Sequence, residues 1–153
     1  MEIELLKHLI AIIAYRFTTA VTDAPDNYYY LKIGVNSRSP VEIIDHMSHQ
    51  LDSAIQLISG VPVSSVKRNF FSSENFEKCK QNFLSLLSSV DIRLDSLKGM
   101  DLPRVKVLMQ GPLTDCISHI GQLAMLRRLA GNPVASQNFI KAKVLTGKLD
   151  YDI

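Results

Sequence analysis

A chain of 153 residues, 46% hydrophobic and 21% charged, is long enough for one domain with a real core and has the make-up of an ordinary globular protein. Two well-sized domains and a disordered chain are both excluded, so residues 1–153 read as a single unit. The formal net charge is only +2, and the lysines and arginines are scattered rather than gathered in a phosphate-tracking stripe. Electrostatics therefore gives no reason to expect nucleic acid or an anionic membrane as a partner.

The two cysteines, Cys79 and Cys116, are too few for a disulfide scaffold and lack the CxxC spacing of a zinc pair. They read as buried free thiols in a reducing compartment. The apolar stretch from Leu5 to Phe17 is interrupted by Lys7, His8 and Arg16. It is too short to span a bilayer and has no small-residue cleavage site after a basic segment. The expectation is a cytoplasmic protein that does not enter the membrane.

A first helix is expected from about Glu2 to Thr22, with Leu5, Leu6, Leu9, Ile12, Ile13 and Phe17 at helical spacing. Asp23-Ala-Pro-Asp-Asn27 breaks it, and Tyr28-Tyr-Tyr-Leu-Lys-Ile33 reads as a long connecting loop. The second helix is marked by Ser39-Pro-Val-Glu42, a capping box with proline at the first helical position. Ile44, Met47, Leu51, Ile55 and Ile58 form its core stripe, and Gly60-Val-Pro62 ends it. A third helix is expected from Ser72 or Ser73, with Phe76, Cys79, Phe83, Leu86, Val90, Leu94 and Leu97 three and four apart. Lys98-Gly99 stops it, and Met100 to Gln110 alternates weakly around Val105 and Val107 and reads as a connector. Gly111-Pro112 then opens a fourth helix to about Ala130, with Arg127 and Arg128 complementing its C-terminal dipole and Gly131-Asn-Pro133 as the stop. The tail reads as irregular apart from a turn near Asn138–Lys143. The expected fold is all-α, a four-helix bundle.

The fourth helix carries the chemistry. Asp115, His119 and Gln122 share one polar stripe on a helix otherwise apolar almost all round, which places that stripe in an interior cleft. A carboxylate and an imidazole buried there need a partner. They can satisfy each other, which is a structural reading, or take in a cation. His46, on the second helix, lies at the flank of the apolar stripe and alone reads as a boundary histidine. Together with Asp115 and His119 it completes a two-histidine, one-carboxylate set, with positions left for water or substrate as catalytic metal sites require. His49 points almost opposite the stripe and is expected in solvent. Cys116 falls on the core arc and reads as an inert thiol. No nucleophile elbow and no glycine-rich phosphate loop occurs.

Ser39-Pro-Val-Glu-Ile-Ile-Asp-His46, followed some seventy residues later by His119-Ile-Gly-Gln-Leu-Ala, resembles the DinB/YfiT-like superfamily of metalloenzymes, in helix order as well as in motif. The resemblance implies a four-helix bundle, commonly dimeric, that binds a divalent metal through one second-helix histidine and an HxxxH pair on a later helix. It places His46 and His119 as ligands. Asp115 stands where the pattern has histidine, a change that keeps a competent ligand but adds negative charge. The expected cofactor is therefore a divalent ion (nickel, zinc, manganese or iron) held by His46, Asp115 and His119. Related members imply a metal-dependent thiol S-transferase or hydrolase, with a low-molecular-weight thiol or other small molecule as substrate. The competing expectation is a non-catalytic helical protein for dimerisation or interaction, whose His/Asp stripe is a hydrogen-bond network.

Overall fold

A computed structural model describes residues 1–69 and 75–152. Among these residues the chain is all helical, with no strand. The helices are α1 (Glu2–Val21), α2 (Asp26–Tyr29), α3 (Pro40–Ile58), α4 (Phe76–Asp95), α5 (Leu102–Leu108) and α6 (Thr114–Leu129). A 3₁₀ turn at Val63–Ser65 and a π turn at Met109–Leu113 complete the order. Of the long helices, α1 and α3 each pack against both α4 and α6.

The shared core follows from spacing. On α1, Leu6, Ile10, Ile13 and Phe17 are buried at intervals of four, three and four, while Leu5 of the expected stripe is 64% exposed. On α3 the buried stripe is Ile44, Met47, Leu51, Ala54 and Ile58, with Ile55 at its edge. On α4 it is Phe76, Cys79, Phe83, Leu87, Val90 and Leu94, so Leu87 takes the place expected for Leu86. Phe17 and Phe83 meet at the centre with ring centroids 4.3 Å apart. Truncating a fully buried leucine here, such as Leu51, would cost about 2–5 kcal/mol.

The second helix starts as its sequence demands. The Ser39 side chain accepts from the Glu42 backbone N–H, Glu42 Oε2 accepts from the Ser39 N–H at 2.7 Å, and Pro40 occupies the first turn. Lys32 Nζ donates to Glu42 Oε1 at 2.8 Å. That bond and those from Ser39 hold the Glu42 carboxyl below its ordinary range. The expected start of the third helix at Ser72 or Ser73 lies outside the described residues. Asn75 caps α4 by accepting from the Glu77 and Lys78 N–H groups.

Three expectations are corrected. Residues 28–30 are not simply loop: Pro25 caps the short helix α2, and Tyr28 is fully buried with its hydroxyl donating to the Leu123 carbonyl at 3.0 Å. Tyr29 stacks on Phe76 at 4.1 Å. Residues 100–110 are not a connector but contain α5, capped by the Asp101 carboxylate accepting from the Arg104 N–H, with Pro103 in its first turn. The alternation of Val105 and Val107 masked a helix whose start signal was a cap and a proline. Gly111-Pro112 does not open the last helix either; it sits in the π turn joining α5 to α6, with Gly111 at φ −101°, ψ −107°. Regular α-helix resumes at Thr114 and ends at Leu129, where Gly131 takes φ +79°.

Arg127 and Arg128 lie in the last turn of α6 as expected. Arg128 is exposed, whereas Arg127 is 6% exposed and has a further role. Its guanidinium donates to the carbonyls of Ala20, Thr22 and Asp23 and to Asn132, closing the C-terminus of α1. The Ala20 carbonyl, one of those α1 cannot satisfy itself, and two carbonyls just past the helix are thereby paired. The tail makes its expected turn, with Lys141 N donating to the Asn138 carbonyl. It then returns to α1, where Tyr151 is buried edge-on against Tyr15. Among the described residues no helix is long and apolar enough to cross a membrane.

Candidate metal centre

The capped α3 delivers His46 two turns from its start, and the kinked entry to α6 delivers Asp115 in the first regular turn and His119 one turn later. These residues, far apart in sequence, meet. His46 Nε2 lies 3.1 Å from Asp115 Oδ2, and His119 Nε2 lies 3.5 Å from the same oxygen. One ligating atom from each residue falls within 4.8 Å of the others. The two imidazoles stand edge to face, with centroids 4.7 Å apart. His119 is buried, His46 nearly so, and the Asp115 side chain keeps 37% of its surface exposed. All three residues expected at the site are therefore brought together.

Protonation follows from neighbours. His119 Nδ1 is 2.9 Å from Gln122 Oε1. In this orientation of the amide, Gln122 Oε1 accepts from a proton on His119 Nδ1, the tautomer in which the Nε2 lone pair faces Asp115. Gln122 was read as part of the polar stripe, and this is its role. His46 Nε2 has two neighbours, Asp115 Oδ2 and the Gln50 side-chain nitrogen at 3.3 Å. If that nitrogen donates to it, Nε2 presents a lone pair to a carboxylate, and two acceptors 3.1 Å apart call for a cation between them. If Nε2 carries the proton, it donates to Asp115. In both states His46 Nδ1 is buried without a hydrogen-bond partner. Burial and the nearby Arg38 guanidinium push the His46 pKa below its ordinary value, against an opposing pull from Asp115. The imidazole is thus neutral, as a ligand must be, over a wider pH range.

The donor set fits a divalent ion. Ligand bonds of about 2.0–2.2 Å in a tetrahedral shell put donor atoms roughly 3.4 Å apart. The two separations from Asp115 Oδ2 bracket that value, while the three atoms together span up to 4.8 Å, so the two imidazoles would have to draw closer on a shared ion. Two imidazole nitrogens and a carboxylate suit zinc, nickel, manganese or iron. His119 and Gln122 also line a cleft of about 420 Å³ with Ile33, Asn36, Ser37, Arg38, Ile43, Met125 and Leu126. Of the triad, His119 therefore borders a space the size of a small metabolite.

The remaining candidates behave differently. His49, expected in solvent, is 7% exposed, with Nδ1 3.9 Å from Asp45 Oδ2. His49 is buried although Glu42 on the same face is exposed and Asp45, Asp52 and Gln56 are half-buried. Cys116 is fully buried with its thiol directed at the Met47 carbonyl, and burial pushes its pKa up, so it is the inert thiol expected. Met125 and Leu129 are each 56% exposed, so α6 is less enclosed than its composition suggested. Gln50 and Arg38 were not anticipated. Gln50 stands one helical turn after His46, the same relation that marked Gln122, whereas Arg38 carries no motif and only the fold brings it to the cleft.

No family model, curated protein or solved structure matches the chain. The functional reading therefore rests on the geometry and on the motif resemblance.

Proposed function

We propose that the chain is a divalent-metal-binding protein of the DinB-like kind, a four-helix bundle with a mononuclear site formed by His46, Asp115 and His119. The observation that carries this reading is the convergence of three ligating atoms, one of them from His119, which also lines the cleft, with the Gln122 amide oxygen on His119 Nδ1 leaving Nε2 to ligate. A divalent ion held there acts as a Lewis acid and lowers the pKa of a water or thiol, which is the chemistry of a metal-dependent hydrolase or thiol S-transferase. The chain's own residues hold the ligands neutral or anionic, orient them and present the cleft. A homodimer, as the resemblance implies, and a cytoplasmic location, as the free thiols suggest, belong to the same proposal. Light scattering on the purified protein measures the mass that decides the dimer.

A second reading has its own support. The 3.1 Å contact between His46 Nε2 and Asp115 Oδ2 is also a good hydrogen bond, and a non-catalytic interaction protein could use the triad as internal glue. Elemental analysis of tag-free protein separates the two. The metal reading expects about one zinc, nickel, manganese or iron per chain, lost in both His46→Ala and His119→Ala. Protein that stays metal-free after incubation with these ions would leave only the hydrogen-bond network.

A further inference from the structure

The cleft beside the triad has a one-sided chemistry. Its lining includes one full cation, Arg38, and no carboxylate. Arg38 forms no ion pair among the described residues, whereas the neighbouring Lys32 is already engaged by Glu42. The segment that presents Arg38 is built by Ser37, whose hydroxyl accepts from the Ile33 and Gly34 N–H groups and donates to the Gly34 carbonyl. On the other side Arg38 is followed by the buried cap Ser39. Arg38 is an exposed residue at the edge of this open concave site. With its backbone set between an ordered turn and a helix cap and no ion pair among the described residues, its guanidinium is available to an oxyanion. The opposite walls, Ile43, Met125 and Leu126, offer apolar surface to a short carbon skeleton.

We infer that this cleft is an anion subsite, in which Arg38 takes the carboxylate or phosphate head of a small organic substrate whose apolar body lies along Ile43, Met125 and Leu126. The inference deepens the metal reading and rests on it only for the reacting end of that substrate. The head group is held at Arg38, while His119, the one member of the triad that lines this cleft, lies beside the rest of the molecule. Arg38 is thus a specificity residue rather than a catalytic one.

Calorimetric titration with hexanoate, hexyl phosphate and the neutral hexanamide tests it on both zinc-loaded and metal-free protein. Zinc content is measured on the same samples. One or both anions should bind wild type at least about tenfold tighter than the amide, and Arg38→Gln should remove about tenfold or more of that affinity. Arg128→Gln, an exposed arginine outside this cleft, should change nothing, and zinc content should be the same in all three proteins. The anion that binds tighter names the head group. Equal binding of amide and anions, no binding of either anion, or anion binding that requires zinc and ignores Arg38 would each overturn the subsite. Wild type that takes no zinc yet binds an anion through Arg38 would sink the metal reading and leave the subsite standing.

Discussion

Helix α6 carries two buried polar clusters, one near each end, and they solve the same problem in opposite ways. At its C-terminal end Arg127 spends its donors on the carbonyls of Ala20, Thr22 and Asp23 and on Asn132. Donors and acceptors match there, and nothing is left for a ligand. At its N-terminal end Asp115 Oδ2 faces two imidazoles, the His119 Nε2 lone pair points towards it, and His46 Nδ1 has no partner. A cluster of donors meeting acceptors holds a fold together, whereas a cluster in which acceptors converge is suited to a cation. One end of the helix thus closes its own hydrogen bonds, and the binding role proposed above falls to the other.

The largest effect should come from the closed cluster. Arg127→Met leaves the α1 terminal carbonyls without donors and should cost about 3 kcal/mol or more of stability. Urea denaturation measures that loss, and a drop below about 1 kcal/mol would mean the carbonyls find other partners. The open cluster should respond in the reverse sense. Asp115→Asn and His119→Ala should weaken zinc binding by about a hundredfold or more, while the metal-free proteins unfold within about 1 kcal/mol of wild type. Strong destabilisation with unchanged zinc affinity would erase the distinction between the two ends. Gln122→Leu releases the His119 tautomer and should reduce zinc affinity by about tenfold, at the low end for an outer partner of a ligand. Competition with a chromophoric chelator would read that change, and an affinity equal to wild type would remove Gln122 from the site.

The smallest effect is the pH response of metal-free protein. Because the folded-state pKa of His46 lies below its ordinary 6.5, the unfolded chain takes up the proton first as the pH falls. The stability from neutral His46 is therefore fully present above about pH 6.5 and is lost as the pH falls through the depressed folded value. His46→Gln should flatten that part of the stability profile. A profile unchanged by the substitution would show that His46 does not couple to folding.

Much of the helical framework was legible because local rules and tertiary packing agree along it. The Ser39-Pro40-Val41-Glu42 box, the stripe from Phe76 to Leu94 and the stop at Gly131 each say the same thing at both levels. Where they disagree the sequence misled. Val105 and Val107 alternate like a strand, yet Asp101 and Pro103 start a helix, and helical phase alone placed His49 in water although it is buried. For the site, the i, i+4 pair Asp115–His119 was readable from one helix. Its meeting with His46 was suggested by the donor set that the three residues complete and by the resemblance, and it needed the fold to position it. Arg38 was invisible because nothing local distinguishes a cleft arginine from a surface one.

The most direct measurement of the central claim is anomalous diffraction at the zinc edge from crystals grown with equimolar zinc. The account expects one strong peak about 2.0–2.2 Å from His46 Nε2, Asp115 Oδ2 and His119 Nε2. A map without a peak there, with the His46–Asp115 hydrogen bond intact, would contradict it.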